Sequence, residues 1–356
     1  MGQEDVWTLT SMNELAVALG NQGKYAEAES MHRQTLATRE KVLGIDHPST
    51  LTTMNNLALV LDSQGKYAEA ESIHRQTLAT RKKVLGIDHP STLKTMNNLA
   101  LVLGSQRKYT EAESMHRQTL ATSEKVLGID HPSILTTMNN LALVLDSQGK
   151  YTEAESMHRQ TLATRKKVLG IDHPSTLTTI NNLALVLDSQ GKYAEAESMH
   201  RQTLATRKKV LGIDHPSTLT TMNNLALVLG SQGKYAEAES MHRQTLATSE
   251  KVLGIDHPST LTSVYCLAHL LANRHRYVES VALYERACAG YSTVLGEDHP
   301  TTRVCRQHYS EILASPEQSF PVEPDCGLSQ GSGKTSKLSR GLAKLGISNS
   351  IFSRQS

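Results

Sequence analysis

Residues 50–91 read TLTTMNNLALVLDSQGKYAEAESIHRQTLATRKKVLGIDHPS, and this stretch decides the fold. At about 100° per residue, Leu51, Met54, Leu57, Ala58 and Leu61 fall on one side of a helix, the apolar stripe that a buried face requires. We call it helix A. Pro48 suits its first turn, and Ser49 or Thr50 is placed to cap the free amides there. Ser63-Gln64-Gly65 breaks the pattern, with Gly65 suited to a left-handed turn. A second periodic stretch, helix B, runs from about Tyr67 to Leu85, with Tyr67, Ala70, Ile73, His74, Leu78 and Val84 as its inward set. Gly86 is read as a stop where a Cβ would clash; Ile87 folds back over the end, and Pro90 prevents continuation.

Working outward, the same unit recurs along the chain. Its marker Asp-His-Pro stands at His47, His89, His131, His173, His215, His257 and His299, always 42 residues apart. A fixed period of this length means stacked units that cannot bury their apolar faces alone. The expected fold is all-α, a right-handed superhelical solenoid of seven 42-residue helix-turn-helix repeats with a C-terminal capping helix. Its array occupies residues 1–314, in units of about 8–49, 50–91, 92–133, 134–175, 176–217, 218–259 and 260–301, with the cap at 301–314. Residues 315–356 turn to Ser, Gly and Pro and are expected to be a disordered basic tail. No Phe precedes Phe320, so the core is built from Leu, Ala, Met and Val, with one Tyr per unit at the start of helix B.

The net charge of +2 is uneven. Lys334, Lys337, Arg340, Lys344 and Arg354 follow the last acidic residue, Asp325, which leaves residues 1–325 at −3. An array of that sign does not fit nucleic acid. Cys266, Cys288, Cys305 and Cys326 lack zinc-site or disulfide-framework spacing, so reduced thiols and a cytoplasmic location are expected. Neither a signal sequence nor an apolar run long enough for a membrane span is present. Repeats three and six share Gly104 with Ser123-Glu124 and Gly230 with Ser249-Glu250, where repeats two, four and five carry Asp and Arg-Lys. The 126-residue offset points to duplication of a three-unit block.

The paired Leu57-Ala58, the turn Gly65, and Tyr67 with Ala70 resemble the tetratricopeptide repeat. The longer period, with LALVL, QGKYAEAE, VLG and DHP in order, resembles the kinesin light chain type. The wording TLTTMNNLALVLDSQGKYAEAESIHRQTLA at residues 50–79 resembles arrays behind the NACHT or NB-ARC ATPase of fungal NOD-like receptor proteins. Departures from the pattern are His32, His74, His116, His158, His200 and His242 where the family favours an aromatic, and Arg107 and His275 at the turn glycine. Neither a heptad coiled coil nor a nucleotide-binding domain precedes the array in this sequence, so a complete motor adaptor or receptor is not expected.

The resemblance implies that helix A lines the concave surface. There the wheel places Thr52, Asn55, Leu59 and Ser63, and the asparagine recurs as Asn13, Asn97, Asn139, Asn181 and Asn223. An amide both donates and accepts, so such a ladder could hold the backbone of an extended peptide, with Leu59 giving apolar contact. The alternative is that the amides bond between adjacent helices inside the solenoid. Lys94, in place of Thr52, puts one cation on this face in repeat three. The reading is a non-catalytic scaffold that binds an extended segment of a partner protein. Its alternatives are a detached sensor array or regulator of a fungal NOD-like receptor and, behind it, a kinesin cargo adaptor.

Histidines one repeat apart are roughly 10 Å from each other, too far to share an ion at about 2.1 Å each. The Asp-His-Pro histidines are read as turn caps and the helix B histidines as half-buried packing residues. Gly331-Ser332-Gly333-Lys334-Thr335 resembles the end of a phosphate loop, but Leu328 stands where that motif needs Gly. No catalytic constellation, cofactor or metal site is read. Leu338, Leu342 and Leu345, beside Arg340 and Lys344, form a short basic amphipathic stretch suited to weak contact with an acidic partner or lipid surface.

Overall fold

The computed structural model describes residues 5–314, which form fifteen α-helices and no strand. The tail, with its phosphate-loop-like and amphipathic stretches, lies outside the described residues. The helices are α1 Val6–Asn21, α2 Tyr25–Leu43, α3 Pro48–Ser63, α4 Tyr67–Leu85, α5 Pro90–Ser105, α6 Tyr109–Leu127, α7 Pro132–Ser147 and α8 Tyr151–Leu169. They continue with α9 Pro174–Ser189, α10 Tyr193–Val210, α11 Pro216–Ser231, α12 Tyr235–Leu253, α13 Pro258–Asn273, α14 Tyr277–Leu295 and α15 Pro300–Leu313. Helices A are odd-numbered and helices B even-numbered. Two compact units part inside α9, one ending at Thr179 and one starting at Ile180.

Each helix A begins the same way, and not through its serine or threonine side chains. The His47 Nδ1 accepts from the Ser49 N–H at 3.1 Å, and His89, His131, His173, His215, His257 and His299 repeat the cap. An accepting Nδ1 leaves the ring proton on Nε2. Pro48 then occupies the first helical position, where a missing N–H costs nothing. Asp-His-Pro is therefore a helix-start signal, and Thr50 adds to it by donating to the Gly44 carbonyl across the loop at 2.9 Å.

Helix A ends on the expected turn. Gly65 takes φ 76°, and the Lys66 N–H returns to the Leu61 carbonyl at 2.9 Å. Arg107 (φ 63°) and His275 (φ 58°) hold the same left-handed turn without being glycine, at roughly 1–2 kcal/mol each. Gly86 needs a different explanation from the one its position suggests. A Cβ there would meet nothing within 4 Å, so the requirement is its φ of 91°, not a steric clash.

In the first unit, Leu57, Ala58, Leu61 and Ala70 pack with Val102 of α5 and against Leu36 of α2, so the hairpin α3–α4 completes its core from both neighbours. The next cluster likewise joins Leu78, Leu93, Met96, Leu99, Leu103 and Ala112 with Val144 of α7. In the second unit Leu204, Leu219, Met222, Leu225, Leu229 and Ala238 pack with Leu270 of α13. Each buried Leu contributes about 1.5–3 kcal/mol, and none of these clusters would exist in an isolated hairpin. Terminal α15 brings Cys305, Tyr309 and Ile312 onto the repeat-seven core of α13 and α14, as the capping role requires.

Two side-chain assignments change. Val84, expected inward, is 47% exposed; with Ile87 it belongs to an apolar edge that recurs as Val42 and Ile45 and as Val126 and Ile129. The helix B histidines, expected to be half-buried, are fully enclosed: His74 and His116 have no exposed surface. Burial pushes His116, His158, His200 and His242 down to about 3, so these imidazoles are neutral.

Candidate peptide-binding face

The structure sorts the helix A residues singled out in the sequence into two depths. Thr52 and Lys94 are exposed. Leu59, Asn13 and Asn97 are half-buried. Asn55, Asn139, Asn181 and Asn223 are buried, between 2% and 8% exposed. Depth follows helical geometry: at about 100° per residue Asn55 lies roughly 95° from the centre of the Leu51, Met54, Leu57, Ala58 and Leu61 stripe, whereas Thr52 and Leu59 lie roughly 155° and 135° from it.

The amides bond between repeats. Asn98 Nδ2 donates to Asn55 Oδ1 at 3.1 Å, and Asn140 Nδ2 donates to Asn97 Oδ1 at 3.3 Å. The second asparagine of one repeat thus meets the first asparagine of the repeat before it. In the second unit Asn223 Nδ2 donates to the Ser263 hydroxyl at 2.8 Å, and Asn223 Oδ1 lies 3.2 Å from His242 Nδ1. A buried amide left without a partner costs about 1–3 kcal/mol, so these pairs fix the register between neighbouring helices A. What faces outward is the line above them: Thr52 or Lys94, then Leu59, Leu101 and Leu143, then Ser63, Ser105 and Ser147. The hydroxyls of Thr52 and Ser63 already donate to carbonyls of their own helix, at 2.9 and 3.0 Å. Leucine side chains and the Lys94 ammonium are therefore the groups on this line best placed to meet a partner.

Four buried arginines escaped sequence reading. Arg81 Nη1 donates to the Ser91 carbonyl at 2.8 Å and to Thr95 Oγ1 at 2.7 Å, tying α4 to α5. Arg39, Arg165 and Arg207 do the same to α3, α9 and α11. Burial lowers Arg165 and Arg207 to about 10. The signal available was an arginine opening an Arg-Lys-Lys run, or Arg-Glu-Lys at Arg39, with a threonine 14 residues later. In repeats three and six the arginine is Ser123 or Ser249, itself buried.

On the outer side of helices B, Glu71 meets Arg75 at 2.8 Å and Lys108 of the next repeat at 2.7 Å, while Arg75 reaches Glu111 at 2.5 Å. Lys150 first, then Gln148 and Arg117, hold Glu113 down at about 2. Exposed pairs of this kind contribute at most about 1 kcal/mol each, so the ladder marks a solvated face.

A recess of about 40 Å³ opens between α11 and α13, beside Gly230, Ser231, His242, His269 and Asn273. It has room for two or three waters, far below the roughly 300–1,000 Å³ of a small-molecule site. Among the described residues no three His, Cys, Asp or Glu side chains group as metal ligands, and no helix is long and apolar enough to cross a membrane.

Comparison with known proteins gives the chain its family. No curated protein is significantly similar to it. Solved structures similar to it include a Podosopora anserina protein assigned as a kinesin light chain, with nearly identical TPR-like repeats. That structure is 30% identical over 59% of this chain and 99% of its own, with a TM-score of 0.49. The apo quorum sensor NprR from B. thuringiensis is 15% identical over 88% of this chain and 89% of its own, with a TM-score of 0.55. Aspartyl phosphate phosphatase F from Bacillus subtilis is 10% identical over 92% and 99%, with a TM-score of 0.52. The last two show the fold alone. Tetratricopeptide repeat models match six overlapping segments that together span residues 7–265, and a further segment at 260–301. With its helices A and B alternating in that register, the chain belongs to the tetratricopeptide repeat family.

Proposed function

We propose that this protein is a non-catalytic, cytoplasmic interaction scaffold that holds an extended segment of a partner protein against its helix A face. The observation that carries the reading is the repeated outer line in the first unit. Leu59, Leu101 and Leu143 stand half-exposed at identical positions, Lys94 adds one cation, and the asparagines beneath bond to one another. An extended chain meeting this line would find an apolar contact at each repeat on a support whose side chains are already fixed, which lowers the entropy cost of binding. The asparagines support the site through register, and direct bonding to the peptide falls to Lys94 and the half-buried Asn97.

Replacing Leu59, Leu101 and Leu143 together by Glu tests the assignment. Capture of the co-purifying partner should weaken roughly tenfold or more while helicity is kept. The control triple Gln76, Gln118 and Gln160→Glu, exposed on helices B, should leave capture unchanged. Undiminished capture by the leucine triple would place the site elsewhere. A sensor array of the NOD-like receptor kind and a motor cargo adaptor would use the same face; both rest on the wording of the repeat.

A further inference from the structure

The seventh interface departs from the other six at two facing positions. Between helix B and the next helix A, the array repeats a leucine and a hydroxyl residue 17 positions later: Leu36 and Thr53, Leu78 and Thr95, Leu120 and Thr137, Leu162 and Thr179, Leu204 and Thr221, Leu246 and Ser263. Where α14 meets α15 both have become cysteine, Cys288 and Cys305. Their sulfurs lie 3.1 Å apart in the repeat-seven core. This is about 1 Å more than the roughly 2.05 Å of a disulfide bond, and both thiols are free. A single change from Leu or Thr to Cys needs no explanation beyond packing, since a free thiol behaves as a small hydrophobe. Two changes that place sulfur against sulfur, in an array otherwise nearly uniform at these positions, make a matched pair.

We propose that Cys288 and Cys305 form an oxidisable dithiol, a modification site for hydrogen peroxide whose product is a disulfide joining the terminal helix to repeat seven. Cys288 is the attacking thiol, because it keeps 7% exposure while Cys305 has none. The Cys305 thiol beside it and then Arg306 favour its thiolate, whereas Cys305 is pushed upward and keeps its proton. The Cys288 thiolate attacks one peroxide oxygen, the O–O bond breaks, and a sulfenic acid and one water result once the leaving hydroxide takes up the proton Cys288 released. The Cys305 sulfur then attacks the Cys288 sulfur. The S–S bond forms, the S–O bond breaks, and hydroxide leaves with the Cys305 proton as the second water. Two thiols lose two electrons and two protons, and one peroxide becomes two waters. The third described thiol, Cys266, is buried and pushed up to about 12, so it does not compete as a nucleophile.

Treating the intact chain with hydrogen peroxide and digesting it with trypsin tests this. The expected product is peptide 287–303 linked to peptide 304–306, lighter by two hydrogens than the reduced pair and released by a reductant. Amide exchange in α15 should slow by roughly tenfold on oxidation. The double variant Cys288→Leu with Cys305→Thr restores the pair the other interfaces carry, and its α15 exchange should not respond to peroxide. The proposal is overturned if the linked peptide fails to form, if the product joins Cys326 or a second molecule instead, or if the Leu and Thr variant responds equally.

Discussion

Repeats two and three, both in the first unit, differ at seven of their 42 positions, and their helices have identical lengths. Gly65 becomes Arg107 and the backbone keeps its left-handed turn. Arg81, which ties α4 to α5, becomes Ser123, and the facing residues Ser133 and Thr137 are retained without the guanidinium. Thr52 becomes Lys94 and the outer line gains its cation. The shared positions, His-Pro starts, Leu-Ala stripe and buried histidine, carry the geometry. Variation falls where two side chains can satisfy one backbone, or where only a partner would notice.

Acid should have the largest effect, and it acts on what the two repeats share. The helix B histidines are neutral when folded, with His116, His158, His200 and His242 near 3 and His32 near 4, both below the usual 6.5. The unfolded chain therefore binds more protons between about pH 6.5 and 3, so stability is full above 6.5 and falls as pH drops through that window. At pH 5 the loss should be on the order of 1 kcal/mol or more per histidine. Urea midpoints measured at pH 7.5, 6 and 5 check this; midpoints that stay level down to pH 5 would mean the imidazoles are solvated.

Next in size is the contrast between the two interfaces. Arg81→Ala removes two charge-assisted hydrogen bonds, one buried and one part-buried, and should cost about 2–3 kcal/mol by chemical denaturation. Ser123→Ala should cost about 1 kcal/mol or less, and equal losses would erase the distinction between a tethered and an untethered joint.

Most of this fold was readable from residues 50–91. The limits of α4 follow from Gly65 and Gly86, and its neighbours in the core follow from the 42-residue period, because punctuation and period are local properties. Arg81 was hidden because a cation in an Arg-Lys-Lys run is ordinarily solvated, and its carbonyl acceptor belongs to the next repeat. Val84 was misplaced because the helical stripe drifts over 19 residues, and the last turn of helix B overhangs the core. The asparagines were ambiguous for a chemical reason: an amide serves a ligand or a neighbouring helix equally well, and only the Asn55 to Asn98 distance separates the two uses.

That distance also gives the most direct test. In a double-mutant cycle on Asn55→Ala and Asn98→Ala, followed by denaturation without any partner, bonding between repeats predicts a coupling energy of about 1 kcal/mol. Strictly additive losses would contradict it, returning the amides to the surface as ligand groups.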